Sequence, residues 1–275
     1  MVKNSKEQGV CNMKPNYKNW IPKGLIFSMY GISCVLLALC IIFGCIGFAK
    51  SYTWSIVLFA IMLVFTLGMF VYSGWYTYMY KAFDYNGKKK IMKVLAEGVT
   101  SYVDIKPGQK GIDIGCGSGA LAIALAKKNS LATVIGLDRW GKEYASFNKL
   151  LCERNAEIEG VANVSFVQGD ATKLPFEDES VDVLVSNYVY HNIPSKDRQA
   201  ILLESLRIVK KGGEFAIHDI FSKSKYGDMN SFIKKLKDMG YESVELLDTT
   251  NGIFMTKSES RKLMLQDSRL LVGKK

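Results

Sequence analysis

The sequence predicts an α/β protein with a Rossmann-like, seven-stranded and mostly parallel sheet that has helices on both faces, preceded by two transmembrane helices. Three observations predict this fold. Short apolar runs alternate with helix-like segments after residue 107. Two long uncharged runs lie between residues 24 and 80. A glycine-rich loop follows the first apolar run of the C-terminal part.

The two uncharged runs are long enough to cross a bilayer. Residues 24–49 and 51–80 contain no charged side chain, and only Lys50 separates them. About 20 apolar residues span the hydrocarbon core, so each run can form one crossing. A cleaved signal peptide does not fit, because the first run is too long and a second follows almost at once.

Positive charge flanks these runs. The net charge is +10, of which residues 1–23 carry +4, residues 81–110 carry +4 and residues 111–275 carry only +1. Lys and Arg resist translocation, so we predict a multi-pass protein of the cell membrane with both termini and the C-terminal domain in the cytoplasm. The flanking lysines are expected to attract anionic lipid head groups. The nearly neutral domain argues against nucleic acid as a partner.

Cysteine and histidine usage indicates neither a metal site nor a disulfide framework. No C-x-x-C pair is present, and the only histidines are His191 and His218. Metal sites and disulfide scaffolds need clustered ligands or paired cysteines. The six cysteines are Cys11, Cys34, Cys40, Cys45, Cys116 and Cys152. Reduced thiols fit a cytoplasmic domain.

The chain divides into four predicted parts. They are a basic cytoplasmic N-terminus (1–23), a two-helix transmembrane hairpin (24–80), an amphipathic connector helix (81–106) and a globular domain (107–275). In the domain, strands are predicted at 111–114, 133–137, 164–167, 181–186 and 214–217, with helices at 120–128, 142–158, 196–209 and 229–239. A final β-hairpin is predicted from strands at 243–247 and 253–256. Such alternation indicates right-handed βαβ units.

A glycine loop and three aspartates are predicted to form a binding site. The loop reads Asp-Ile-Gly-Cys-Gly-Ser-Gly over residues 113–119, between the first strand and a helix. Residues without Cβ permit the sharp turn and the close approach of a ligand. Asp138 and Asp170 follow the second and third strands. All these positions lie at the carboxyl ends of parallel strands, where open α/β sheets bind ligands.

Two ligand classes are compatible with this loop. Gly115, Gly117 and Ala120 satisfy the dinucleotide pattern G-x-G-x-x-A, and Asp138 suits the ribose of NAD. Asp113, however, would repel a pyrophosphate and attract an amino group. A cationic nucleoside therefore fits better, while a NAD-linked oxidoreductase remains the alternative. A third possibility is a non-catalytic, membrane-anchored nucleoside-binding protein.

Residues from about 85 to 257 resemble a class I S-adenosylmethionine-dependent methyltransferase, of the broad group that includes ubiquinone and menaquinone C-methyltransferases. The matching elements are the D-x-G-x-G-x-G loop at 113–119, Leu137-Asp138, Asp170-Ala171 before Leu174-Pro175-Phe176, the strand ending at Asn187, and the turn at 209–213. The two apolar runs lie outside the family's usual extent.

The resemblance implies that S-adenosyl-L-methionine is the cofactor, and it assigns the site residues. The loop residues Gly115, Cys116, Gly117 and Gly119 would approach the methionine portion, with Asp113 near its amino acid end. Asp138 would bind the ribose, beside Arg139, and Asp170 with Ala171 would bind the adenine. Asn187 completes this cofactor-binding set.

The catalytic residues are less defined than the cofactor site. Candidates to deprotonate or orient an acceptor are Tyr188, Tyr190 and His191 after the fourth strand and Asp219 after the fifth. Little sequence is inserted after these strands, so no large lid is expected. We hypothesise that the membrane face helps to complete the site and that the acceptor is a small or lipid-soluble molecule. The alternative is that the hairpin only anchors the enzyme.

Overall fold

The computed structural model describes residues 13–50, 53–141 and 146–275. Two compact units are present, one formed by residues 19–91 and the other by residues 13–18 together with 92–275. Cys11 and the rest of residues 1–12, as well as residues 142–145 of a predicted helix, lie outside the described residues. The predicted basic N-terminus therefore contributes residues 13–18 to the larger unit.

The smaller unit contains two long apolar helices, α1 (Lys23–Lys50) and α2 (Thr53–Phe83). Each has a mean hydropathy of 2.5 over its most apolar window and is long enough to cross a membrane. Their side chains are mostly exposed. An exposed apolar helix is unfavourable in water and favourable in lipid, so length, composition and exposure agree with the predicted spans.

Small residues allow α1 and α2 to pack closely. A Cβ on Gly44 would lie 2.8 Å from the Phe59 ring, and one on Gly47 would lie 2.7 Å from Ser55 Oγ. The hydroxyls of Ser33 and Ser73 approach each other at 3.5 Å. Close backbone approach with small and hydroxyl-bearing side chains is typical of helix pairs in membranes.

The connector does not form the single amphipathic helix that was predicted over residues 81–106. Helix α2 continues to Phe83, and a separate helix, α3 (Ile91–Thr100), follows a turn. The turn is stabilised by Asp84, whose side chain accepts a hydrogen bond from the Asn86 amide at 3.0 Å. Asp, Asn and Gly favour turns, and here this local preference outweighs the helical spacing of apolar residues.

The larger unit contains a seven-stranded sheet with the order β3-β2-β1-β4-β5-β7-β6. The strands are β1 (Lys110–Ile114), β2 (Thr133–Asp138), β3 (Val164–Gln168), β4 (Val181–Asn187), β5 (Val209–Ile220), β6 (Ser243–Asp248) and β7 (Ser268–Lys274). The first five are parallel, and β7 is antiparallel to both its neighbours. The strands are added outward from β1 to β3 on one side and from β4 to β5 on the other, so the strand order reverses between β1 and β4. Open α/β sheets bind ligands at such a point.

Helices connect the strands. They are α4 (Ala120–Lys128), α5 (Lys149–Ile158), α6 (Arg198–Arg207), α7 (Lys223–Tyr226), α8 (Met229–Asp238) and α9 (Lys257–Lys262). Helix α5 begins later than the predicted residue 142, because the Asn148 side chain caps it by accepting the Leu151 amide at 2.9 Å. The central strands are buried, with Ile112, Leu184 and Ile217 all inaccessible to solvent. The predicted Rossmann-like fold class is confirmed.

The predicted final hairpin is wrong in its second strand. Residues 253–256 lie in a loop in which the Phe254 and Met255 amides both donate to the Thr249 carbonyl. Thr256 then starts α9 with a capping box to Glu259. The antiparallel partner of β6 is β7, which the sequence analysis missed. Thr-x-x-Glu is a strong local signal for a helix start, and it outweighs the short apolar run before it.

Candidate functional site

The glycine loop connects β1 to α4 at the carboxyl edge of the sheet. Gly115, Gly117 and Gly119 all have positive φ, at 76°, 55° and 87°. A Cβ on Gly115 would lie 2.2 Å from a Val189 methyl group, so side chains are excluded there by space as well as by conformation. The Gly115 and Cys116 amides donate to the Leu137 carbonyl at 2.7 and 3.0 Å. The loop is thus held against the end of β2.

Asp138 is bonded to the loop. Its Oδ2 accepts the Gly117 amide at 2.8 Å, and its Oδ1 accepts the Trp140 amide at 2.7 Å. A carboxylate has about four acceptor positions, so lone pairs remain for ribose hydroxyls. The structure thus places Asp138 in contact with the loop, where the sequence predicted the ribose site.

Trp140 is a site residue that the sequence analysis missed. Its indole Nε1 donates to the Gly117 carbonyl at 2.9 Å. Trp140 also has φ of 44°, a left-handed conformation that is strained for a tryptophan. Cys152 donates from Sγ to the same carbonyl at 3.2 Å. The sequence signal that could have identified Trp140 is an aromatic residue two positions after Asp138, the acidic residue that ends β2.

Asp113 lies beneath the loop and is 1% exposed. Neither carboxylate oxygen has a hydrogen-bond partner among the described residues. Burial raises the pKa of Asp113 well above its usual value; the Ala122 amide lies near enough to oppose this shift in part, without forming a bond of normal geometry. An unpaired buried carboxylate is stabilised by a nearby cation, so this site favours an ammonium group and disfavours a pyrophosphate.

Asp170 stabilises a turn after β3. Its Oδ1 accepts both the Thr172 amide and the Thr172 hydroxyl at 2.8 Å. These hydrogen bonds lower the pKa of Asp170, and Arg139 adds a smaller electrostatic contribution. Ala171 beside it is 9% exposed. Because Gln168 Nε2 also donates to the Arg139 carbonyl at 3.0 Å, the ends of β2 and β3 are connected.

Asn187 is engaged by a buried histidine. Its Oδ1 lies 2.8 Å from His218 Nδ1, and His218 Nε2 lies 2.9 Å from the Thr249 hydroxyl. Burial lowers the pKa of His218 to about 3, so its imidazole is neutral at pH 7. The structure therefore gives His218 a positioning role toward Asn187.

His191 and Asp219 form a pair at the carboxyl ends of β4 and β5. His191 Nδ1 lies 2.5 Å from Asp219 Oδ1, and the His191 amide donates to Oδ2 at 3.2 Å. The Asp219 side chain is fully buried, whereas the His191 side chain is 13% exposed. A carboxylate at Nδ1 favours the tautomer with the proton on Nδ1, which leaves the Nε2 lone pair as a proton acceptor. The sequence named both residues but did not pair them.

Tyr188 and Tyr190 do not fit the role of a base. Tyr190 is fully buried, and its hydroxyl donates to Ser205 Oγ at 2.9 Å. The Tyr188 hydroxyl lies 2.6 Å from Ser268 Oγ. Burial raises the pKa of both phenols. They are wall and core residues rather than proton acceptors.

A comparison with known families assigns this region. Residues 112–217 match the family model described as a methyltransferase domain. The chain carries a methyltransferase domain. The predicted resemblance to a class I, S-adenosylmethionine-dependent methyltransferase and the predicted cofactor are confirmed for this region. Among the residues that the structure describes, no group of three potential metal ligands is found near this methyltransferase domain or elsewhere.

Two curated proteins illustrate the similarity. An arsenite methyltransferase of Aquipseudomonas alcaligenes is 36% identical over 125 residues, which are 44% of this chain and 35% of that protein. A demethylmenaquinone methyltransferase of Bacillus cereus is 30% identical over 136 residues, which are 49% of this chain and 54% of that protein. The chain thus spans about a third to about half of the length of these relatives.

A solved structure shows the same fold around the methyltransferase domain. The [4+2]-cyclase SpnF has 15% sequence identity and a TM-score of 0.50, covering 66% of this chain and 81% of that chain. That protein is described as a cyclase, so the fold by itself does not decide the reaction. The reaction has to be argued from the site.

Proposed function

We propose that this protein is a membrane-anchored methyltransferase that transfers the methyl group of S-adenosylmethionine to a small, lipid-soluble acceptor. The observation that supports it best is the glycine loop, whose three left-handed glycines lie between the unpaired carboxylate of Asp113 and the Asp138 carboxylate. A backbone open to close approach, next to two carboxylates, suits a cationic nucleoside.

The cofactor is proposed to contact residues at three strand ends. Gly115, Cys116, Gly117 and Gly119 would hold the methionine portion above Asp113, and Asp138 with Arg139 would hold the ribose. Asp170 and Ala171 would hold the adenine, and Asn187 would border the methionine side. When bound, the cofactor supplies an electrophilic methyl group on a sulfonium, so the protein chiefly has to align the acceptor and exclude water.

His191 is the proposed base for the acceptor. The Asp219 carboxylate lies at Nδ1, which leaves Nε2 free to take a proton from a hydroxyl or an acidic carbon. After proton uptake the imidazolium faces a buried carboxylate, which stabilises it. The proton is thus held at His191 Nε2 while the acceptor reacts.

Membrane anchoring is supported by three observations. Helices α1 and α2 are long and apolar enough to span a bilayer, and lysines flank them. In addition, residues 13–18 before the hairpin and residues 92–275 after it form one compact unit. This shared unit supports a topology in which both ends of the hairpin lie on the same side of the membrane. The excess of lysine favours the cytoplasmic side and contact with anionic lipids.

The acceptor class is proposed from the relatives and from the proposed membrane anchor. The relatives are named for arsenite and for demethylmenaquinone, which are both small acceptors. Of these two kinds of acceptor, a quinone-like lipid dissolves in the bilayer into which α1 and α2 would insert. We therefore favour a lipid-soluble acceptor.

Calorimetry on the full chain in detergent micelles tests the cofactor assignment. We expect binding heat with S-adenosylhomocysteine and none with NAD⁺. Asp138→Ala should abolish most of the heat, because it removes both the ribose acceptor and the bond to Gly117. Asp182→Ala is the matched control, since Asp182 bonds Lys110 and Lys210 at the start of β4, away from the loop. Heat with NAD⁺ alone would establish the oxidoreductase alternative instead.

A further inference from the structure

A short N-terminal segment belongs to the methyltransferase unit even though the hairpin separates the two in sequence. Residues 13–18, here called the N-terminal strap, form one compact unit with residues 92–275. The strap contains neither helix nor strand. Tyr17 within it is nevertheless 2% exposed. Specific contacts must therefore hold it, and three of them converge on the glycine loop and α5.

Asn155, on α5, bonds the strap and the loop at the same time. Its Oδ1 accepts the Asn16 amide at 2.8 Å. Its Nδ2 donates to the Asn16 carbonyl at 3.1 Å and to the Ser118 carbonyl at 3.0 Å. Asn155 is 1% exposed. All but one of the hydrogen-bonding positions on this amide are thus used, and two different chain segments meet on one side chain.

Ser118, in the glycine loop, forms hydrogen bonds with both the strap and Asn155. Its Oγ donates to the Tyr17 carbonyl at 2.8 Å, while its own carbonyl accepts from Asn155. Ser118 lies between Gly117 and Gly119, which are two of the three left-handed glycines. The strap therefore bonds the loop at Ser118, directly after Gly117, whose amide donates to Asp138.

Tyr17 gives the strap a second attachment. Its hydroxyl donates to Glu159 Oε1 at 2.9 Å, and Glu159 also pairs with Lys127 at the end of α4. Helices α4 and α5 are the two helices that follow the loop in sequence. The strap is thus bonded to α5 and to the loop between β1 and α4, and Glu159 links it indirectly to the end of α4.

We propose that the N-terminal strap is a clamp on the cofactor loop and that Asn155 is its central positioning residue. This inference rests on the proposed cofactor site. With the strap docked, the glycine loop is held in the conformation that receives the cofactor. With the strap released, the Ser118 hydroxyl loses the Tyr17 carbonyl and the Asn155 side chain loses its two bonds to Asn16. The loop then has to be ordered by the cofactor itself.

The clamp links two equilibria. If strap docking strengthens cofactor binding, cofactor binding must strengthen strap docking by the same factor. The strap ends five residues before helix α1 begins at Lys23. Cofactor affinity is thereby coupled to the segment that leads into the proposed membrane anchor.

Asn155→Ala in the full chain tests this coupling. We expect S-adenosylhomocysteine to bind about tenfold more weakly, within the usual range of coupling energies. Under turnover, the KM for S-adenosylmethionine should rise while kcat at saturation changes little, because Asn155 positions the loop and does not touch the reacting atoms. Asn155→Asp keeps the acceptor for the Asn16 amide but loses the donors to the Asn16 and Ser118 carbonyls. Its affinity for S-adenosylhomocysteine should therefore fall between those of the wild type and Asn155→Ala.

Asn163→Ala is the matched control. Asn163 Nδ2 donates to the carbonyls of Ala126, Asn129 and Ala132, so this side chain also makes several bonds to backbone. It precedes β3 and lies at the amino edge of the sheet, opposite to the loop. We expect a comparable loss in Tm with unchanged cofactor affinity. Equal losses of affinity in the two variants would show a general effect of destabilisation and would overturn the clamp.

Limited trypsin cleavage after Lys18 gives a second readout on the unaltered protein. Lys18 is exposed at the end of the strap, whereas Lys14 precedes a proline and resists cleavage. S-adenosylhomocysteine should slow cleavage at Lys18 in the wild type. If the wild type binds it but cleavage is unchanged, the clamp is wrong and the proposed function stands. If the wild type does not bind it, both are wrong.

Discussion

Asp113 places a carboxylate in the interior of the domain without a hydrogen-bond partner among the described residues. Such a group costs stability unless a cation compensates it. Because Asp113 lies next to the glycine loop, the same carboxylate makes the site selective: it favours a ligand with an ammonium group over a ligand with a phosphate. A residue that is unfavourable for folding alone thus becomes favourable for binding.

Asp113→Asn separates these two effects. Burial raises the pKa of Asp113, so ionisation opposes folding. This penalty develops as the pH rises above the unfolded value of about 4. We expect the variant to be more stable at pH 7, by about 1–3 kcal/mol, and the gain to shrink toward pH 4. Thermal unfolding at several pH values measures it.

The same variant should bind S-adenosylhomocysteine at least tenfold more weakly in calorimetry, because the ammonium group loses its counter-charge. A variant that is less stable and binds equally well would contradict this role of Asp113.

His191 and Asp219 are expected to act as one unit. Replacing His191 by Gln removes the proton acceptor, and Asp219→Asn removes the group that orients the ring. Each change should lower kcat by about 10²–10⁴-fold, the usual contribution of a general base. The assay is transfer of labelled methyl from S-adenosylmethionine to demethylmenaquinone or to a total lipid extract.

Binding of S-adenosylhomocysteine should be unchanged within about twofold in both variants, since neither residue is placed in the cofactor set. The double variant should be no worse than either single variant, because the two residues serve one step. If the loss of kcat in the double variant equalled the product of the two single losses, His191 and Asp219 would not act as one unit.

At the scale of elements, the sequence was most informative where burial and local signals agree. The strands β1 to β4 are apolar runs bounded by turn residues, and they were placed within about one residue of their observed ends. The glycine loop was recognised for the same reason, because its three left-handed glycines are required by the turn. Local pattern and tertiary environment indicate the same structure at these positions.

Elements whose position depends on distant partners were harder to predict. Strand β7 is identified by its pairing with both β5 and β6, and its own sequence carries little alternation. The His191–Asp219 pair joins the ends of two strands, 28 residues apart. Asn155 and the N-terminal strap are 139 residues apart. Periodicity reports local structure and contains no information on such contacts.

At the scale of the whole molecule, the proposed acceptor can be tested without knowing its identity. The full chain in lipid nanodiscs is incubated with a total membrane lipid extract and labelled S-adenosylmethionine. We expect the label in the organic phase, because a membrane anchor places the domain beside lipid-soluble molecules. Asp138→Ala should give no label. Label confined to protein or to water-soluble products would contradict a lipid-soluble acceptor.

The strap also has a consequence for biogenesis. Residues 13–18 leave the ribosome before the apolar helices, whereas Ser118 and Asn155 emerge only after them. The strap therefore cannot bind Ser118 and Asn155 until the two apolar helices have been synthesised. If only one of the two apolar helices crossed the bilayer, the strap and the methyltransferase domain would lie on opposite sides of the membrane, and the strap could not dock.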